Sequence, residues 1–569
     1  MKYLIVPFFL FFVLHLSAQK VENRNLSKRQ YFFYDVNKTQ IESDGFYYVD
    51  DLGETSLRHG KWRFYDREGG LQEERNYFKN QLHGEVLIYF PNGKKNSIGY
   101  FKNDIQDSVY MEWDETGVLS QEGHYFKGKP IGNWNYYYRS GKQKMVEQIV
   151  DSTSFVWQFW LPDSLHTQTV TDGTGQIATY YTNGNLKEWY TYKDGLKDGP
   201  FEEASVYGYF LLKGSFKNNL PDGEWKYFYY TGDLEKTSVY KDGKLHGPYF
   251  YYYDNEQVNV EGHYENGVKT GTWTWYTKFG VIDMKGPFVN NLQHGDWIYN
   301  FPNGDLSYKA KYKEGLRHGT WEYFYENGAK FKVGNFDNDK KNGNWKTWYE
   351  NGNLLMDGDY VDNLEQGIWK NYWENGQLKN QSTFKDGQLD GGWLSFYSNG
   401  KPKTTGNYDK ALKTGEWSEY FDNGRLKDIE NYKIITQKSK ITYGPMKDRD
   451  RRTSVRNGDF VSFSAKDFQK TLEGKFKNDE KEGAWTAYHP GGKSPAMITT
   501  YKNGKLDGPM TSFTFKGNKI ISEINYKDGL QNGAVKVYDE RGKLVKEEQY
   551  KNGIRVIEGT NSGTGFSPR

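Results

Sequence analysis

The chain has 569 residues, a net charge of +2 at pH 7, a mean hydropathy of -0.93 and an aromatic content of 18%. The balanced charge excludes an overall electrostatic attraction to nucleic acid or to an anionic membrane, and the aromatic content excludes a chain that is disordered throughout. Cysteine is absent, which excludes disulfides, a cysteine-linked lipid and thiol chemistry.

The N-terminus has the pattern of a secretory signal peptide. Lys2 precedes an apolar run from Leu4 to Leu16, and Ala18 is a small residue of the kind at which such segments are cleaved. The run is shorter than the roughly 20 apolar residues that a membrane span needs. We expect residues 1–18 to be removed and the rest to be exported to the periplasm, the outer surface or the exterior, with at most peripheral membrane association. An uncleaved N-terminal anchor is the alternative.

A glycine that recurs every 24 residues marks the chain as an array of one repeated supersecondary unit. We call it the origin glycine of each repeat. Such an array predicts a long, regular surface for binding and no single deep pocket. The regular copies are Gly199, Gly223, Gly247, Gly271, Gly295, Gly319, Gly343, Gly367, Gly391 and Gly415.

The array divides into segments along the chain, with about 19 repeats of 24 to 25 residues in all. Before the regular copies, divergent origins stand at Gly60, Gly84, Ser108, Gly132 and Gly175, and after them at Gly458, Gly483, Gly508 and Gly533. The predicted segments are a lead-in or divergent first repeat at 19–45, repeats at 46–145, an interruption or eroded repeat at 146–170, regular repeats at 171–432, a basic insertion or hinge at 433–456, further repeats at 457–558 and a disordered tail at 559–569.

The insertion at 433–456 contains eight Lys or Arg residues against two Asp residues. This composition is typical of a solvated loop or hinge. A specific anionic partner is the alternative.

Each repeat has the sequence signals of a β-hairpin. In the repeat that begins at Gly319, two runs rich in aromatic and β-branched residues flank Asn327-Gly328, a pair that favours a type I′ turn. Lys-Asp-Gly or Lys-Asn-Gly turns then lead into the next repeat. The predicted fold class is therefore all-β, an elongated array of antiparallel β-hairpins in a meander or solenoid-like arrangement.

A two-residue loop at this Asn-Gly fixes the register of the hairpin. It pairs Tyr325 with Lys330 and Trp321 with Gly334, so that the indole covers a cross-strand glycine. The same register places Trp273 over Gly286, Trp345 over Gly358 and Trp393 over Gly406. We call this side of the sheet the tryptophan face. A three-residue bulged loop, which is the alternative, changes some of these assignments. On the tryptophan face we also expect the aliphatic residues Leu186, Leu234, Val258, Ile282, Leu306, Leu354, Leu378 and Leu426.

One further aromatic residue per repeat is predicted to point to the opposite face, because side chains alternate along a strand. If these rings are partly exposed, they can dock a protein partner, stack on sugars or hold choline-like cations. We call them the interaction stripe. They are Phe324, Trp348, Tyr372, Phe396 and Tyr420.

The pattern Asp-Gly-x-x-x-Gly-x-Trp-x-x-Tyr-Tyr-x-Asn-Gly-x-Leu, nearly complete from Asp386 to Gly400, resembles the bacterial variant of the MORN repeat. Most units from Gly175 to Gly542 share it, and similar arrays occur in YwqK-type antitoxins. The resemblance implies an antiparallel β-meander with a scaffolding, protein-binding or lipid-binding role. It implies no catalytic residue.

The sequence offers no pattern for catalysis or metal binding. Gly123 to Lys129 is close to a phosphate-binding loop, but Pro130 replaces the required Ser or Thr. Equivalent residues of adjacent hairpins lie about 9.6 Å apart, too far to share a zinc ion. We therefore expect no enzymatic activity, cofactor or metal, and we expect solvated turn residues at the histidines that precede origin glycines, which are His59, His83, His246, His294 and His318.

The sequence predicts an exported, non-enzymatic repeat scaffold of the cell envelope that binds a protein or a lipid. A glycan- or cell-wall-binding module is an alternative, because Trp-x-x-Tyr-Tyr-x-Asn-Gly is similar to choline- and glucan-binding hairpin repeats. A further alternative is an antitoxin-like protein that neutralises a toxin.

Overall fold

The computed structural model describes residues 25–438, 450–516 and 519–557. Regular structure in these ranges consists of 47 β-strands. Among the described residues, no helix is long and apolar enough to cross a membrane. The chain divides into two compact units, Met1–Val268 and Lys269–Arg569. The predicted signal peptide at 1–18 and the predicted tail at 559–569 lie outside the described residues.

The first unit contains the divergent N-terminal repeats, the interruption and the first regular repeats. Its strands are Gln30–Phe33, Ile41–Asp50, Gly53–Tyr65, Leu71–Phe78, Gln81–Tyr89, Lys95–Lys102, Ile105–Trp113, Leu119–Phe126, Lys129–Tyr137, Gln143–Val150, Thr153–Trp160, Gln168–Thr171, Thr174–Tyr180, Leu186–Lys193, Leu196–Ala204, Phe210–Lys217, Leu220–Pro221, Gly223–Phe228, Leu234–Lys241, Lys244–Tyr252 and Val258–Glu265.

The second unit contains the most regular repeats and the basic insertion. Its strands are Val268–Tyr276, Ile282–Val289, Leu292–Gln293, Gly295–Asn300, Leu306–Lys313, Leu316–Arg317, Gly319–Phe324, Lys330–Asp337, Lys340–Trp348, Leu354–Val361, Leu364–Tyr372, Leu378–Lys385, Gln388–Phe396, Pro402–Asp409, Leu412–Tyr420, Leu426–Gln437, Arg451–Arg456, Gly458–Phe463, Lys470–Lys477, Glu480–Tyr488, Pro495–Lys502, Lys505–Phe513, Ile520–Lys527, Leu530–Tyr538, Leu544–Lys551 and Ile554–Val556.

Within each unit, neighbouring strands of the sheet pair antiparallel. Each repeat contributes a hairpin, and the second strand of that hairpin pairs with the first strand of the next repeat. The predicted all-β array of antiparallel hairpins is therefore confirmed.

The turn inside most hairpins is a three-residue bulged loop, so the predicted type I′ turn at Asn-Gly is wrong. In the repeat of Gly319, the Gly328 N–H donates to the Tyr325 carbonyl at 2.9 Å, and the Tyr325 N–H donates to the Ala329 carbonyl at 2.8 Å. Only the glycine of the Asn-Gly pair has a positive φ, of 81°. This geometry is a type I turn followed by a left-handed glycine, and it pairs Phe324, not Tyr325, with Lys330.

Type I′ geometry occurs instead at the connectors between repeats. Asp386 and Gly387 have φ values of 51° and 77°, and Asn338 and Asp339 have values of 47° and 67°. Positive φ at both central residues defines this turn, and Gly, Asn and Asp tolerate it best. The chain therefore alternates two kinds of hairpin turn, one within each repeat and one between repeats.

The origin glycine is the left-handed residue of a β-bulge. Gly343 has a φ of 70°, and the pairing of its strand with the preceding strand changes register between Val333 and Asn335. A bulge with a left-handed residue favours glycine, which has no Cβ to clash. The 24-residue period of the glycines is thus the period of this bulge.

Replacing Ser108 with glycine is expected to stabilise the repeats around it by about 1 kcal/mol, because a left-handed conformation costs other residues about 1–2 kcal/mol. Ser108 occupies an origin position with a φ of 70°. Amide hydrogen exchange of the strands Ile105–Trp113 and Leu119–Phe126 measures the effect. The control is Ser120→Gly, in an ordinary strand position, which is expected to reduce stability by a similar amount. Unchanged or weaker protection in Ser108→Gly would contradict the bulge assignment.

The interruption at 146–170 contains the strand Thr153–Trp160, which pairs with Gln143–Val150. Val156 and Phe159 of this strand belong to a small apolar cluster. The inserted residues therefore contribute to the core of the first unit. The rest of the buried cluster consists of Val170, Ile177 and Tyr192.

Both ends of the basic insertion belong to the sheet of the second unit. Leu426–Gln437 pairs with Arg451–Arg456, from Tyr432 opposite Arg456 to Gln437 opposite Arg451. Residues 433–437 and 451–456 are therefore strands and not a loop. Residues 439–449 lie outside the described part of the chain.

Candidate functional site

The tryptophan face is the apolar core of the repeat sheet. Trp273, Trp297 and Trp345 are at most 2% exposed. In the second unit, one cluster of buried side chains runs along this face through successive repeats, and rings such as Tyr308 and Tyr360 pack against it. These tryptophans are structural, because no ligand can reach their rings. The cluster consists of Trp297, Ala310, Trp321, Phe336 and Trp345.

The predicted pairing of tryptophan with glycine is confirmed, but the indole covers a different glycine. Trp345 pairs with Gly358 across its hairpin. Its ring, however, lies over Gly334 of the preceding hairpin, where an added Cβ would be 2.0 Å from Trp345 Cδ2. Gly358 is covered by Trp369 of the next repeat. The contact therefore joins successive repeats. The other such pairs are Trp62 over Gly45, Trp134 over Gly123, Trp225 over Gly214, Trp297 over Gly286, Trp417 over Gly406 and Trp485 over Gly474.

A serine in place of one covered glycine changes the position of the indole above it. Normally the indole N–H donates to a carbonyl of the preceding hairpin, as Trp345 does to Asn335 at 3.2 Å. Ser382 stands opposite Trp393, which is only half-buried and donates to the Thr404 hydroxyl at 3.0 Å instead. The glycine thus allows the ring to lie close to the backbone.

A cation two residues before the origin glycine packs on the tryptophan face in several repeats. Lys341 Nζ lies 5.0 Å from the Trp345 ring and 4.7 Å from the Tyr360 ring. Lys413 Nζ lies 4.3 Å from the ring of Trp417. Such cation–π contacts contribute about 0.5–1 kcal/mol each at exposed sites. We did not predict these cations from the sequence, although their recurrence before the glycine was a usable signal.

All five residues of the interaction stripe are half-buried and lie on the face opposite the tryptophans. Trp348, for example, follows Trp345 by three positions in the strand Lys340–Trp348, and alternation along a strand then places the two rings on opposite faces. The buried cluster of the tryptophan face in the second unit includes none of the five. The stripe is therefore separate from the core that holds the repeats together.

The aliphatic residues that we predicted on the tryptophan face lie beside the stripe, so that assignment is wrong. The bulged loop moves the register by one residue, and directly opposed residues of an antiparallel pair share a face. The stripe is thus one side of a broader apolar band. Its pairs are Trp348 with Leu354, Tyr372 with Leu378, Phe396 with Pro402 and Tyr420 with Leu426, whereas Phe324 pairs with Lys330.

Two of the stripe rings, Phe324 and Tyr372, lie near the preceding hairpin, close to the residue fourteen positions after that hairpin's origin glycine. Lys309 Nζ lies 6.0 Å from the ring of Phe324. In the first unit, the equivalent Tyr137 donates its hydroxyl to Glu122 at 2.7 Å. Burial, together with this bond, raises the pKa of Tyr137 to about 12. For Tyr372, burial and then the nearby Asp357 raise the pKa. This packing explains why the rings are only partly exposed.

Side-chain hydrogen bonds join the hairpin turns of successive repeats. Asn351 Nδ2 donates to the Glu374 carbonyl at 3.1 Å, and the Tyr349 hydroxyl donates to the Tyr372 carbonyl at 3.0 Å. Equivalent bonds recur in neighbouring repeats. The asparagine of Asn-Gly therefore ties one turn to the next, a role that we missed because its sequence also fits a turn former.

His59 is buried, which corrects the prediction of a solvated turn residue at this position. It is 2% exposed and lies 5.2 Å from each of the rings of Tyr48 and Phe78. Its Nδ1 accepts the Lys79 N–H at 3.2 Å. Burial, and then the charge of Lys79, lower the pKa of His59. Within the described ranges, no three His, Cys, Asp or Glu side chains are grouped to hold a metal ion.

The first repeats are expected to lose stability as pH falls. Because the pKa of folded His59 is below the unfolded value of about 6.5, the unfolded state binds more protons. The contribution is thus fully present above pH ~6.5 and is lost as pH falls through the folded pKa. Hydrogen-exchange protection factors for Ile41–Asp50 and Gly53–Tyr65 at pH 7.5 and 5 measure this. His59→Gln should remove the dependence and His83→Gln should keep it; equal dependence in both variants would contradict the assignment.

Eleven segments of the sequence match the family model MORN_2, the MORN repeat variant. The chain is a MORN repeat protein. Each stripe residue falls in its own matched segment, so the stripe is a feature of consecutive MORN repeats. The matched segments are 58–80, 82–103, 221–242, 245–266, 293–314, 317–338, 341–362, 365–386, 389–410, 413–433 and 531–552.

The MORN repeat protein matches no curated protein. Among solved structures, it is similar to "Crystal Structure of TcdB2-TccC3-Cdc42", with a TM-score of 0.15 and 10% identity over 90% of this chain and 29% of that chain. It is also similar to a structure of the Photorhabdus luminescens Tc holotoxin pore, with a TM-score of 0.12 and 10% identity over 91% of this chain and 29% of that chain. The protein thus spans less than a third of these chains, and TM-scores at this level do not establish a common fold.

Proposed function

We propose that this MORN repeat protein is an exported, non-enzymatic scaffold that binds a protein partner at the cell envelope through its stripe face. The observation that carries the proposal is the contrast between the two faces of the second unit. The tryptophans are closed to ligands, whereas half-exposed rings recur once per repeat on the other side. The signal-peptide pattern at 1–18 supports export.

The chemistry beside the stripe favours a protein as the partner. The rings and their aliphatic neighbours form an apolar band, and opposite charges accompany it on the same face. Lys346 Nζ lies 3.6 Å from an Asp357 carboxylate oxygen, and Lys309 Nζ lies 3.8 Å from one of Glu322. An apolar, aromatic centre with a polar rim is the usual composition of a protein interface. Aliphatic residues such as Leu354 and Leu378 stand opposite the rings. This composition favours a protein partner over a sugar stacked on the rings.

A photo-crosslinking experiment in the producing cells tests the proposal. A photoreactive amino acid replaces Tyr372 in the stripe, and in the matched control it replaces Asp362, an exposed residue of a connector turn. We expect one recurrent protein to be joined to the chain from position 372 and not from position 362. Adducts with lipid alone, or the same products from both positions, would reject a protein scaffold that uses this face.

Cell fractionation tests export separately. We expect the chain to be recovered outside the cytoplasm and without residues 1–18, because the N-terminal pattern is that of a cleaved signal peptide. Recovery of the full-length chain in the cytoplasm would contradict export. It would leave the crosslinking result to decide whether the stripe binds a partner.

A further inference from the structure

The repeat of Gly175 departs from the others at one surface position. Trp189 stands fourteen residues after the origin glycine and pairs with Ala178. In the regular repeats from Gly199 to Gly415 this position holds Lys, Thr, Glu, Val, Asp, Gln or Ile, and never an aromatic residue. Because the position lies on the stripe face, Trp189 places a large ring where other repeats have a smaller or charged side chain.

The next repeat departs in a complementary way. Its stripe position holds Ala204, whereas most other repeats have an aromatic ring at this position, as in Tyr137, which reaches back to Glu122 of the preceding hairpin. Trp189 therefore has no stripe ring above it, and it remains half-buried. Neither repeat falls within the segments that match the family model. The two departures together open the surface beside Trp189.

A cleft of about 480 Å³ lies beside this ring, within the range of about 300–1,000 Å³ typical of small-ligand sites. Two of its lining residues, Leu161 and Thr169, belong to the interruption. The regular repeats therefore cannot form this cleft. All of its lining residues are uncharged, unlike those of the other clefts of similar volume, which contain Asp, Glu, Lys, Arg or His. The cleft is lined mainly by Leu161, Thr169, Gln176, Ala178, Tyr180 and Trp189.

The polar groups of the cleft are neutral donors and acceptors. Gln176 Oε1 accepts the indole N–H of Trp189 at 3.3 Å, which fixes the ring and leaves the amide N–H groups of Gln176 to donate elsewhere. Thr169 Oγ1 is buried and has no hydrogen-bond partner among the described residues. Tyr180 is 60% exposed. The site thus combines an aromatic surface with hydrogen-bonding groups and lacks a charge.

We propose that this cleft binds an uncharged sugar ring of a glycan, stacked on Trp189 and hydrogen-bonded to Gln176. A sugar ring has one apolar C–H face and a rim of hydroxyls, which is what an aromatic ring flanked by amide and hydroxyl groups accommodates. The absence of lining charge disfavours phosphates, acidic glycans and charged peptides, since a charge buried without a partner is costly. The site is in the first unit and does not depend on the stripe of the second.

Binding of the full-length chain to a printed array of neutral glycans and their sulfated or sialylated counterparts tests the proposal. We expect at least one neutral glycan to be bound, with at least a tenfold loss of affinity in Trp189→Ala by calorimetry with that glycan. Trp189→Phe, which keeps a ring, should stay within a few-fold of wild type. The matched control is Trp157→Ala, which removes an indole that is 39% exposed in the same unit and does not line the cleft.

Three results would overturn the proposal: no neutral glycan bound, binding of acidic glycans only, or equal affinity in Trp189→Ala and wild type. Circular dichroism of Trp189→Ala shows whether the unit is still folded. If it is not, the affinity of Trp189→Phe for the glycan tests the proposal. Failure here is distinguishable from failure of the proposed function, because replacement of Trp348 and Tyr372 should leave glycan binding unchanged.

Discussion

Trp345→Ala is expected to lower the free energy of unfolding of the surrounding repeats by about 3–5 kcal/mol, the usual cost of deleting a large buried aromatic ring. The ring of Trp345 is 2% exposed, covers Gly334 and packs edge-to-face against Phe336 with ring centroids 5.1 Å apart. Its removal leaves a cavity in its own hairpin and also deletes the contact with Gly334 of the preceding hairpin. Amide hydrogen exchange of Lys330–Asp337 and Lys340–Trp348 measures the effect.

The matched control is Trp348→Ala, three positions away in the same strand. Trp348 is half-buried on the opposite face and pairs with Leu354, and a cross-strand pair contributes about 0.2–1 kcal/mol. We therefore expect a loss of about 1 kcal/mol or less. Equal losses in the two variants would show that both faces are core, and would leave no face free for a partner.

Gly334→Val is expected to destabilise the same repeats by about 3 kcal/mol, because overpacking forces shifts of neighbouring groups. An added Cβ at Gly334 would lie 2.0 Å from Cδ2 and 2.2 Å from Cε2 of Trp345. The ring is restrained by its N–H bond to the Asn335 carbonyl. In one repeat a methyl group is accommodated at the equivalent position, since Ala310 is buried near Trp321. Valine adds two further carbons.

Gly392→Val provides the control for this prediction. Gly392 is exposed in the strand Gln388–Phe396, and its Cβ would meet no heavy atom within 4 Å. Because valine favours strands, we expect a change of no more than about 0.5 kcal/mol in either direction. Thermal unfolding and hydrogen exchange measure both variants. A Gly334→Val chain as stable as Gly392→Val would contradict the packing of indole on glycine.

Features set by the period of the sequence were predictable. The hairpin array and the pairing of Trp345 with Gly358 both followed from counting residues between aromatic runs and turns. The glycine that the indole covers was not predictable, because the hairpin of Trp345 and the preceding hairpin both offer an equivalent one. Gly334 and Gly358 are 24 residues apart, and a single repeat does not show which of them lies beneath the indole. Only the three-dimensional arrangement of two repeats distinguishes them.

The turn type could not be predicted from the sequence either, and it changed which residues lie beside the stripe. Asn-Gly fits a type I′ turn and a type I turn with a left-handed glycine equally well. The loops differ by one residue, and a shift of one residue moves a side chain to the other face of a sheet. Leu354 and Leu378 therefore lie beside the stripe. The alternation that placed Trp348 opposite Trp345 is unaffected, because the extra residue at this register shift, Leu355, belongs to the partner strand.

In the function that we propose, the tryptophan face holds the repeats together and the stripe face binds a partner. The yield of the crosslinked complex in the double variant W348A/Y372A, relative to wild type, tests it most directly. The photoreactive residue is placed at Phe396, half-buried in the next repeat of the stripe, and hydrogen exchange confirms that the variant is folded. We predict at least a tenfold loss of complex with unchanged protection of the tryptophan strands. A wild-type yield of complex from the double variant would contradict the account.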